Sequence, residues 1–454
     1  MELKNKKVLV VGSGISGIAA TILLGTKSAV VTLLDSNTKI EKDTILNQLP
    51  KNQKVEIIIG ELPKETYDVF DYVVLSPGVP TDLPFIHELK ALGKPILGEI
   101  ELAYLFEQGN IVAITGTNGK TTTTALTGQI MREHFAHVNV VGNIGMPYTN
   151  TVLENTKDTV TVAELSSFQL ETVHTFAPKV SAILNITPDH LNRHHTMKAY
   201  MEAKFNITKN QTSEDTCVLN YEDEALREFG KSLSCKVVYF SSKRELERGL
   251  YLLGDEIVYN TGEETLLICN INELNILGAH NYENVMAATA MAMAMGVSLD
   301  EIHRGLVSFH AVEHRIEYVD EVNGVKYYND SKGTNPDAAI KGIQAMNRKT
   351  LLIGGGYDKD SSYDEWIQAF EGKVRYLVLL GQTRDKIAKA ARENGFEDII
   401  LVDSLEEAVI TCSNLANEGE CVLLSPACAS WGMFKNYEER GERFKELVRE
   451  LKNK

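Results

Sequence analysis

Residues 111–124 read IVAITGTNGKTTTT, an apolar run followed by a glycine-rich turn and a row of threonines. The apolar run predicts a buried strand, and residues 122–134 predict the helix that follows it. Gly119-Lys120-Thr121 resembles the end of a phosphate-binding loop, where backbone amides cradle phosphate and a hydroxyl group ligates Mg²⁺. A strict version of this loop has glycine at the position of Ile114. An ordinary glycine–asparagine turn is the alternative, but the strand–loop–helix order favours ATP binding.

Short apolar runs alternate with helix-length amphipathic stretches on both sides of this loop. Such alternation, with strands that are apolar throughout, predicts an α/β protein whose mainly parallel sheets are covered by helices. The runs fall into three series: 6–12, 29–35, 55–60 and 71–78, then 111–116, 159–165 and 179–187, then 350–355, 376–381, 398–402 and 421–427.

Three series in 454 residues predict three domains. We place a Rossmann-like N-terminal domain at residues 1–98, a central P-loop ATPase domain at 99–311 and a C-terminal Rossmann-like domain at 312–454. Residues 215–275 predict further strands in the central domain. Residues 316–329 predict a hairpin, because Asn323-Gly324 favours a type I′ turn.

The charge and the cysteines narrow the class of protein. The net charge of −16 argues against nucleic acid or an anionic membrane surface as the main partner, although a small anionic ligand is still compatible with it. The six cysteines form no C-x-x-C pair. The apolar run at 8–11 is too short for a signal peptide, and the apolar stretch 284–297 is too short for a membrane span. We expect a cytoplasmic protein that is a monomer.

A second glycine motif lies near the N-terminus, where Gly12, Gly14 and Gly17 match G-x-G-x-x-G after a strand. Asp35 is the last residue of the next predicted strand, and it follows the glycine motif at the usual sequence separation for a carboxylate that binds a ribose hydroxyl. This pattern is typical of dinucleotide sites, but a nucleotide diphosphate sugar satisfies the same geometry. Close packing of a helix on a strand, with no ligand, is the third interpretation.

The run TGTNGKTT after a Rossmann-like first domain resembles the Mur ligase family. The resemblance covers nearly the whole chain and favours the members that add D-glutamate, because the D-N-P-R run of the diamino-acid-adding members is absent. It continues through GNIG at 142–145, ELSSFQLE at 164–171, NITPDHL at 185–191, HNYEN at 280–284, EHR at 313–315, NDSKGTNP at 329–336 and LSPACAS at 424–430.

The resemblance implies an amide ligase of peptidoglycan synthesis. ATP would phosphorylate the alanine carboxylate of UDP-N-acetylmuramoyl-L-alanine, and the amine of D-glutamate would attack the acyl phosphate. Two Mg²⁺ ions are implied, with ligands from Thr121, Glu164, His190 and Lys204, the last carbamylated by CO₂. The catalytic residues implied are Lys120, His190, Lys204 and Lys332.

Each of these assignments has a simpler alternative. Glu164 would otherwise be a helix cap, His190 a surface or capping residue, and Lys204 an exposed lysine on a helix. We expect the neighbouring His194 and His195 to be solvated.

The resemblance also implies three binding sets. Those for ATP are Gly116, Thr117, Asn118, Gly119, Lys120, Thr121, Thr122, Asn281, Asn284, Arg315 and Asp330. Those for the UDP-sugar are Gly14, Ile15, Ser16, Gly17, Asp35, Ser36, Ser76, Asn143 and Ser167. Those for D-glutamate are Lys332, Thr334, Lys359, Ser425 and Phe434. Helix capping is the alternative for Asn281 and Asn284, and a mutual salt bridge is the alternative for Arg315 and Asp330.

Two other functions compete with the ligase. A NAD(P)-dependent oxidoreductase would explain the first glycine motif but not GTNGKTT or the third domain. A P-loop NTPase that acts as a switch would release phosphate without regard to UDP-sugar or D-glutamate. Because the implied site residues fall in all three domains, a ligase should close its third domain around ATP.

Overall fold

The computed structural model describes residues 2–310, 313–359 and 361–452. These residues form two compact units, one containing residues up to 268 and 283–306, and the other containing 269–282 and the described residues from 307 onward. Within the described residues, every helix is too short or too polar to cross a bilayer.

The first unit begins with a parallel five-stranded sheet in the order β3-β2-β1-β4-β5. The chain order reverses between β1 and β4, and such a switch point opens a crevice at the carboxyl ends of the strands. The strands are β1 Lys7–Val11, β2 Val30–Asp35, β3 Val55–Ile59, β4 Tyr72–Leu75 and β5 Ile96–Gly98. The helices are α1 Ile15–Thr26, α2 Lys42–Leu46, α3 Pro84–Ala91 and α4 Glu99–Tyr104, with a 3₁₀ turn at Lys64–Val69.

The nine-stranded central sheet has the order β14-β13-β12-β11-β10-β9-β6-β8-β7. It is parallel from β7 to β12, and β13 then pairs antiparallel with β12. The strands are β6 Asn110–Thr115, β7 His137–Gly142, β8 Thr159–Glu164, β9 Val180–Ile183, β10 Thr216–Asn220, β11 Lys236–Ser241, β12 Gly249–Leu253, β13 Glu256–Asn260 and β14 Thr265–Asn270. The strands predicted at 215–275 are therefore confirmed.

The helices of this region lie between these strands in sequence or follow the last of them. They are α5 Lys120–His134, α6 Ser167–Leu170, α7 Leu191–His194, α8 Met197–Phe205, α9 Glu224–Gly230, α10 Ala279–Ala294 and α11 Leu299–Val307, with 3₁₀ turns at Tyr148–Asn150, Val152–Glu154, Asn206–Thr208 and Ile271–Glu273. Helix α5 begins at Lys120, two residues before the predicted start, because Gly119 turns the chain directly into the helix. The Met/Ala stretch belongs to α10, and its side chains from Val285 to Ala288 are buried, as expected of a core helix.

The second unit contains a six-stranded sheet in the order β15-β16-β20-β17-β18-β19. Strands β15 and β16 form the predicted hairpin, with positive φ at Asn323 and Gly324 as a type I′ turn requires. The strands are β15 Glu317–Val322, β16 Val325–Asn329, β17 Thr350–Gly354, β18 Val374–Leu379, β19 Ile399–Leu401 and β20 Cys421–Leu424. The helices are α12 Pro336–Ala345, α13 Asp364–Gln368, α14 Arg384–Glu393, α15 Leu405–Leu415 and α16 Tyr437–Leu451.

Candidate active site

A cavity of about 880 Å³ opens at the switch point between β1 and β4. Seven of the nine residues predicted for the UDP-sugar line it: Gly14, Ile15, Ser16, Asp35, Ser36, Ser76 and Asn143. Sequence reasoning missed several other lining residues, among them Lys64, Tyr67, Phe85 and Gln169. Of these four, Gln169 had a signal in the sequence, since it lies within the quoted motif ELSSFQLE.

Gly17 and Ser167 do not line this cavity. A Cβ at Gly17 would lie 1.8 Å from the carbonyl oxygen of Gly12, so Gly17 allows α1 to pack against the turn that precedes it. This is the close-packing role expected of the third glycine in the motif.

Asp35 shapes the turn at the cavity entrance. Its Oδ2 accepts hydrogen bonds from the backbone N and the Oγ of Ser13, at 2.8 and 2.5 Å, and its Oδ1 accepts from the backbone N of Asn37. Partial burial acts to raise the pKa of Asp35, but these hydrogen bonds outweigh it and hold the pKa below its ordinary value. Asp35 is therefore an ionised acceptor at the edge of the cavity.

The phosphate-binding loop joins β6 to α5. Gly116 and Gly119 have φ of +153° and +84°, and a Cβ at Gly119 would lie 2.4 Å from Oδ1 of Asn284. The loop is fixed to the segment after β9, because the Asn118 amide donates to Asn185 Oδ1 at 2.8 Å. The Oγ1 of Thr117 is also 3.0 Å from the Tyr200 hydroxyl. Ile114 is a buried residue of β6, so the departure from the strict motif lies in the strand, outside the loop.

Lys120 folds back over this loop, and its Nζ donates to the carbonyl oxygens of Gly116 and Thr117 at 3.0 and 2.9 Å. Burial lowers the pKa of Lys120 below its ordinary value, against the opposing effect of Glu164 and Asp189. The ammonium group thus lies over the loop, where a bound phosphate would displace it from the carbonyl groups. Thr121 is exposed in the first turn of α5.

Glu164 ends β8, where its backbone pairs with Ile114 and Gly142 on the flanking strands. Its Oε1 accepts from Nδ2 of Asn143 at 2.8 Å, while its Oε2 is buried and has no hydrogen-bond partner. The capping alternative is wrong, because Ser166 caps α6 in a capping box with Gln169. A buried carboxylate oxygen without a donor is rare in proteins and fits a cation that completes the site.

Lys204 is not the exposed lysine that base rates favour. It is 2% exposed, and its Nζ donates to the Gly116 carbonyl at 2.7 Å and lies 4.7 Å from the centre of the Tyr200 ring. Burial and the charge of Lys120 lower the pKa of Lys204 to about 7, although Asp189 acts in the opposite direction. Near neutral pH the Lys204 amine is therefore neutral in a large fraction of the molecules, and the neutral amine is the form that reacts with CO₂.

His190 occupies the N-cap position of α7 with a φ of +52°, but its side chain makes no capping hydrogen bond. About half of the side chain is exposed, and the ring packs against Phe168 with a centroid distance of 4.9 Å. His195 is exposed, as predicted.

The prediction that His194 is solvated is wrong. The residue is 6% exposed because its ring packs between Phe168 and Tyr200, with Nε2 2.9 Å from Ser167 Oγ and Nδ1 3.2 Å from Glu171. Burial lowers the pKa of His194, against the effect of Glu171. A neutral ring here donates to Glu171 and accepts from Ser167, so it satisfies both side chains.

The two asparagines near the start of α10 make different contacts. Asn284 Oδ1 lies 3.1 Å from Oγ1 of Thr123 on α5, which places it beside the phosphate-binding helix. Asn281 Nδ2 donates to the Leu277 carbonyl at 2.8 Å, a contact that fixes the beginning of the helix. This contact is not a cap, because a capping side chain accepts from a backbone N–H group whereas Asn281 donates to a carbonyl.

In the second unit, the predicted residues follow three neighbouring strands. Asp330, Lys332 and Thr334 follow β16, Ser425 follows β20 and Lys359 follows β17. Because β16, β20 and β17 are adjacent and parallel, these segments meet at one edge of the sheet. Lys332 lies 5.7 Å from the centre of the Tyr437 ring and Lys359 lies 4.9 Å from that of Trp431, so both cations lie over aromatic rings.

Asp330 is buried at this edge, where its Oδ2 accepts from Ser425 Oγ at 2.7 Å and its Oδ1 accepts from the Ile316 amide. Burial raises the pKa of Asp330 to about 7, although these hydrogen bonds act to lower it. The salt-bridge alternative is not supported, because Ser425 and Ile316 contact the carboxylate while Arg315 is exposed.

Phe434 and Arg440 have structural contacts near the predicted D-glutamate pocket. Phe434 is partly buried against the core that α15 and α16 cover. Arg440 was missed from the sequence: its buried guanidinium donates to the Ser331 hydroxyl and carbonyl and to the Cys428 carbonyl, at 2.8 to 3.2 Å. It thereby holds the loops after β16 and β20 together. Cys428 is buried, and burial raises the pKa of its thiol.

Glu313, His314 and Glu442 form a second group that could hold a metal ion. The ammonium group of Lys445 already lies between their carboxylates, at 3.0 Å from Glu313 and 2.6 Å from Glu442. This group is therefore an ion-pair network that contains its own cation.

Comparison with known proteins assigns the family. The chain matches the Mur ligase MurD-like N-terminal domain over residues 6–98, the Mur ligase middle domain over 114–292 and the Mur ligase glutamate ligase domain over 314–428. A protein of Lachnoclostridium phytofermentans called UDP-N-acetylmuramoylalanine–D-glutamate ligase is 60% identical over 453 residues, covering 100% of both chains. The chain belongs to the Mur ligase family. A Clostridioides difficile protein of the same name is 46% identical over the full length of both chains.

Solved structures of Mur ligases show the same fold at low sequence identity. The UDP-N-acetylmuramate–alanine ligase MurC of Thermotoga maritima has a TM-score of 0.55 at 20% identity and covers 98% of this chain and 99% of its own. The MurF ligase of the same organism, in complex with ADP, has a TM-score of 0.54 at 17% identity and covers 100% and 96%. The Mur ligase fold explains the three α/β domains with mainly parallel sheets. The domain boundaries at 98 and 311 stay predictions.

Proposed function

We propose that this Mur ligase joins D-glutamate to UDP-N-acetylmuramoyl-L-alanine in peptidoglycan synthesis, with ATP converted to ADP and phosphate through an acyl phosphate. The observation that carries the proposal is the placement of Lys120, Glu164 and Lys204 around one phosphate-binding loop, beside a cavity large enough for a nucleotide sugar. The relatives that carry this name support the choice of substrates. We also propose that the enzyme is cytoplasmic and acts as a monomer.

In this proposal the first unit binds the nucleotide sugar and ATP. The start of α1 at Gly14 and Ser16 lines the cavity together with Ser76, which follows β4, and these residues offer amides and hydroxyl groups to a diphosphate. Asn143 lines the cavity and also donates to Glu164, so it connects the sugar site to the phosphate-transfer site.

The side chains of the first unit fit Mg²⁺, which prefers oxygen ligands. The Thr121 hydroxyl, the unpartnered Oε2 of Glu164 and a carbamate on Lys204 would supply oxygens, and His190 would supply a nitrogen for the second ion. When bound, Mg²⁺ neutralises negative charge on the phosphate groups. Lys120 would release the Gly116 and Thr117 carbonyls and neutralise the γ-phosphate, since phosphoryl transfer depends mainly on positioning and electrostatics.

The second unit would bind D-glutamate. The dicarboxylate substrate needs cations, which Lys332 and Lys359 provide, and it needs hydroxyl donors, which Thr334 and Ser425 provide. Arg315 and Asp330 would contact ATP, and Asn281 and Asn284 would contact the adenine. Phe434 would close one side of the amino-acid pocket.

Phosphate release from ATP tests the proposal directly. Purified chain with Mg²⁺ and UDP-N-acetylmuramoyl-L-alanine should release phosphate only when D-glutamate is added, and L-glutamate, L-alanine and diaminopimelate should give little release. Stimulation by another amino acid would reassign the substrate. Phosphate release that ignores both substrates would support a P-loop switch, and NAD(H) binding without a response to ATP would support an oxidoreductase.

A further inference from the structure

Helix α7 carries Arg193, which contacts both the cavity loop at residues 76–79 and the segment after β8, and His194, which contacts the segment after β8. Arg193 and His194 follow His190 within one helical turn, and Arg193 is 13% exposed in its side chain. Neither residue is assigned a role by the proposed function, which uses only His190 from this segment.

Arg193 binds the cavity loop through backbone carbonyl groups. Its Nη2 donates to the Val79 carbonyl at 3.0 Å, and its Nη1 lies 3.5 Å from the Gly78 carbonyl. Gly78 and Val79 line the cavity together with Ser76, whose Oγ donates to the Gly12 carbonyl. A ligand that moves this loop will therefore move the partners of Arg193.

The same guanidinium binds the segment that follows Glu164. Its Nη2 also donates to Oε2 of Glu171 at 2.9 Å, and its central carbon lies 4.7 Å from the centre of the Phe168 ring. His194 reinforces this contact, because it lies 3.2 Å from Oε1 of Glu171. The Phe168 ring packs in turn against His190. Helix α7 is thus held against the segment after β8 by an ion-paired carboxylate and a shared aromatic ring.

We propose that Arg193 is a positioning residue that couples the occupancy of the nucleotide-sugar cavity to the placement of His190 at the metal site. Both contacts of the guanidinium belong to one planar group, so the cavity loop and Glu171 cannot change position independently. An arginine can bind two carbonyl groups and a carboxylate at once because its donors point in several directions, which a lysine cannot reproduce. The inference rests on the proposed function, since it needs the sugar substrate and Mg²⁺ in these sites.

Coupling is reciprocal and can be measured as a ratio of dissociation constants. Calorimetric titration would give the Kd of UDP-N-acetylmuramoyl-L-alanine for the full chain, alone and with saturating Mg²⁺ and a non-hydrolysable ATP analogue. In the unmodified protein we expect the affinity to rise by at least about fivefold, the lower end of typical coupling. In Arg193→Met the two values should agree within about twofold.

Arg227→Met is a matched control in the same unit. Arg227 also donates to a backbone carbonyl, that of Tyr221, and also lies over an aromatic ring, at 5.4 Å from the Tyr221 centroid. It lines no part of the cavity. This variant should keep the ratio of the unmodified protein, so a general loss of packing is separated from a loss of coupling.

Arg193→Lys covers the case in which the methionine variant does not fold. It keeps a charge beside Glu171 but cannot span all three acceptors, so thermal unfolding should change little while the ratio still falls. A ratio that persists in the variant that folds, or an unmodified protein without any coupling, would overturn the inference. An unmodified protein without D-glutamate-dependent phosphate release would instead refute the proposed function on which the inference rests.

Discussion

Lys204 should be carbamylated selectively at neutral pH. Its pKa of about 7 leaves about 90% of the amine neutral at pH 8, against roughly 0.3% for a lysine with an ordinary pKa of 10.5. Because only the neutral amine attacks CO₂, Lys204 offers about 300 times more of the reactive form than a solvated lysine at this pH. Burial in contact with Gly116 and Tyr200 is the cause of this difference.

Carbon-13 NMR in the presence of labelled bicarbonate would detect the carbamate. The unmodified chain should give one slowly exchanging carbamate signal, which grows as the pH rises through 7 at constant CO₂ pressure. Lys204→Ala should lose the signal and most of the ligase activity, and an added short carboxylic acid should restore part of that activity by supplying the missing oxygen ligand.

Lys198→Ala is the control for the same helix. Lys198 lies on the exposed face of α8, 82% exposed in its side chain and 3.9 Å from Glu202, so its loss should leave the signal unchanged. A carbamate signal that survives in Lys204→Ala, or one that first grows near pH 10, would refute the reasoning from burial.

Three further predictions concern the loop and the second unit. Gly119→Ala should weaken binding of an ATP analogue at least about tenfold, because the new Cβ would lie 2.4 Å from Oδ1 of Asn284. Gly296 has the same φ of +84° but faces open space, so Gly296→Ala should bind the analogue normally. Equal losses of affinity in the two variants would point to backbone strain alone. Because burial raises the pKa of Asp330 to about 7 in the folded protein, its contribution to stability is present below pH 4 and is lost as the pH rises to 7. Between pH 4 and 7 the free energy of unfolding, measured with urea, should fall by up to about 4 kcal/mol because of Asp330, and Asp330→Asn should remove this change. If the free energy of unfolding depends on pH equally in both proteins, Asp330 is not protonated in its buried site. Lys359→Ala should raise the KM for D-glutamate about tenfold or more, with little effect on the KM for ATP. Lys386→Ala, which removes the ion-pair partner of the neighbouring Asp358, should change neither KM. A change in the KM for ATP alone would show that Lys359 does not bind D-glutamate.

The secondary structure was largely predictable because its signals are local. The apolar run 159–165 predicts β8, and all six residues of that strand are buried. The Asn323-Gly324 pair predicts the hairpin in the same way, since a turn with two positive φ values depends on those two residues. The glycine-rich turns were predictable because their backbone conformations exclude most side chains.

The environments of the site residues were harder to predict, because they depend on contacts distant in sequence. Lys204 resembles an exposed lysine, but it is buried by a contact with Gly116, 88 residues away. His194 was expected in solvent because its partners Ser167 and Glu171 lie in another motif. The raised pKa of Asp330 arises from burial beside Ser425, 95 residues further along the chain. Periodicity carries no information about such pairings.

The net charge of −16 does not describe the charges near the phosphate-binding loop, where two lysines lie close together. The Gly116 carbonyl accepts from both Lys120 and Lys204, at 3.0 and 2.7 Å, so two lysine nitrogens share one acceptor. With Lys204 as an ammonium group, these lysines and Glu164 carry one net positive charge, which repels Mg²⁺; as a carbamate, the same set carries one net negative charge. CO₂ and Mg²⁺ should therefore bind cooperatively, and the carbamate signal of the unmodified chain should strengthen when Mg²⁺ is added. The carbamate nitrogen keeps one N–H group, so it can still donate to the Gly116 carbonyl after a phosphate group takes Lys120 away.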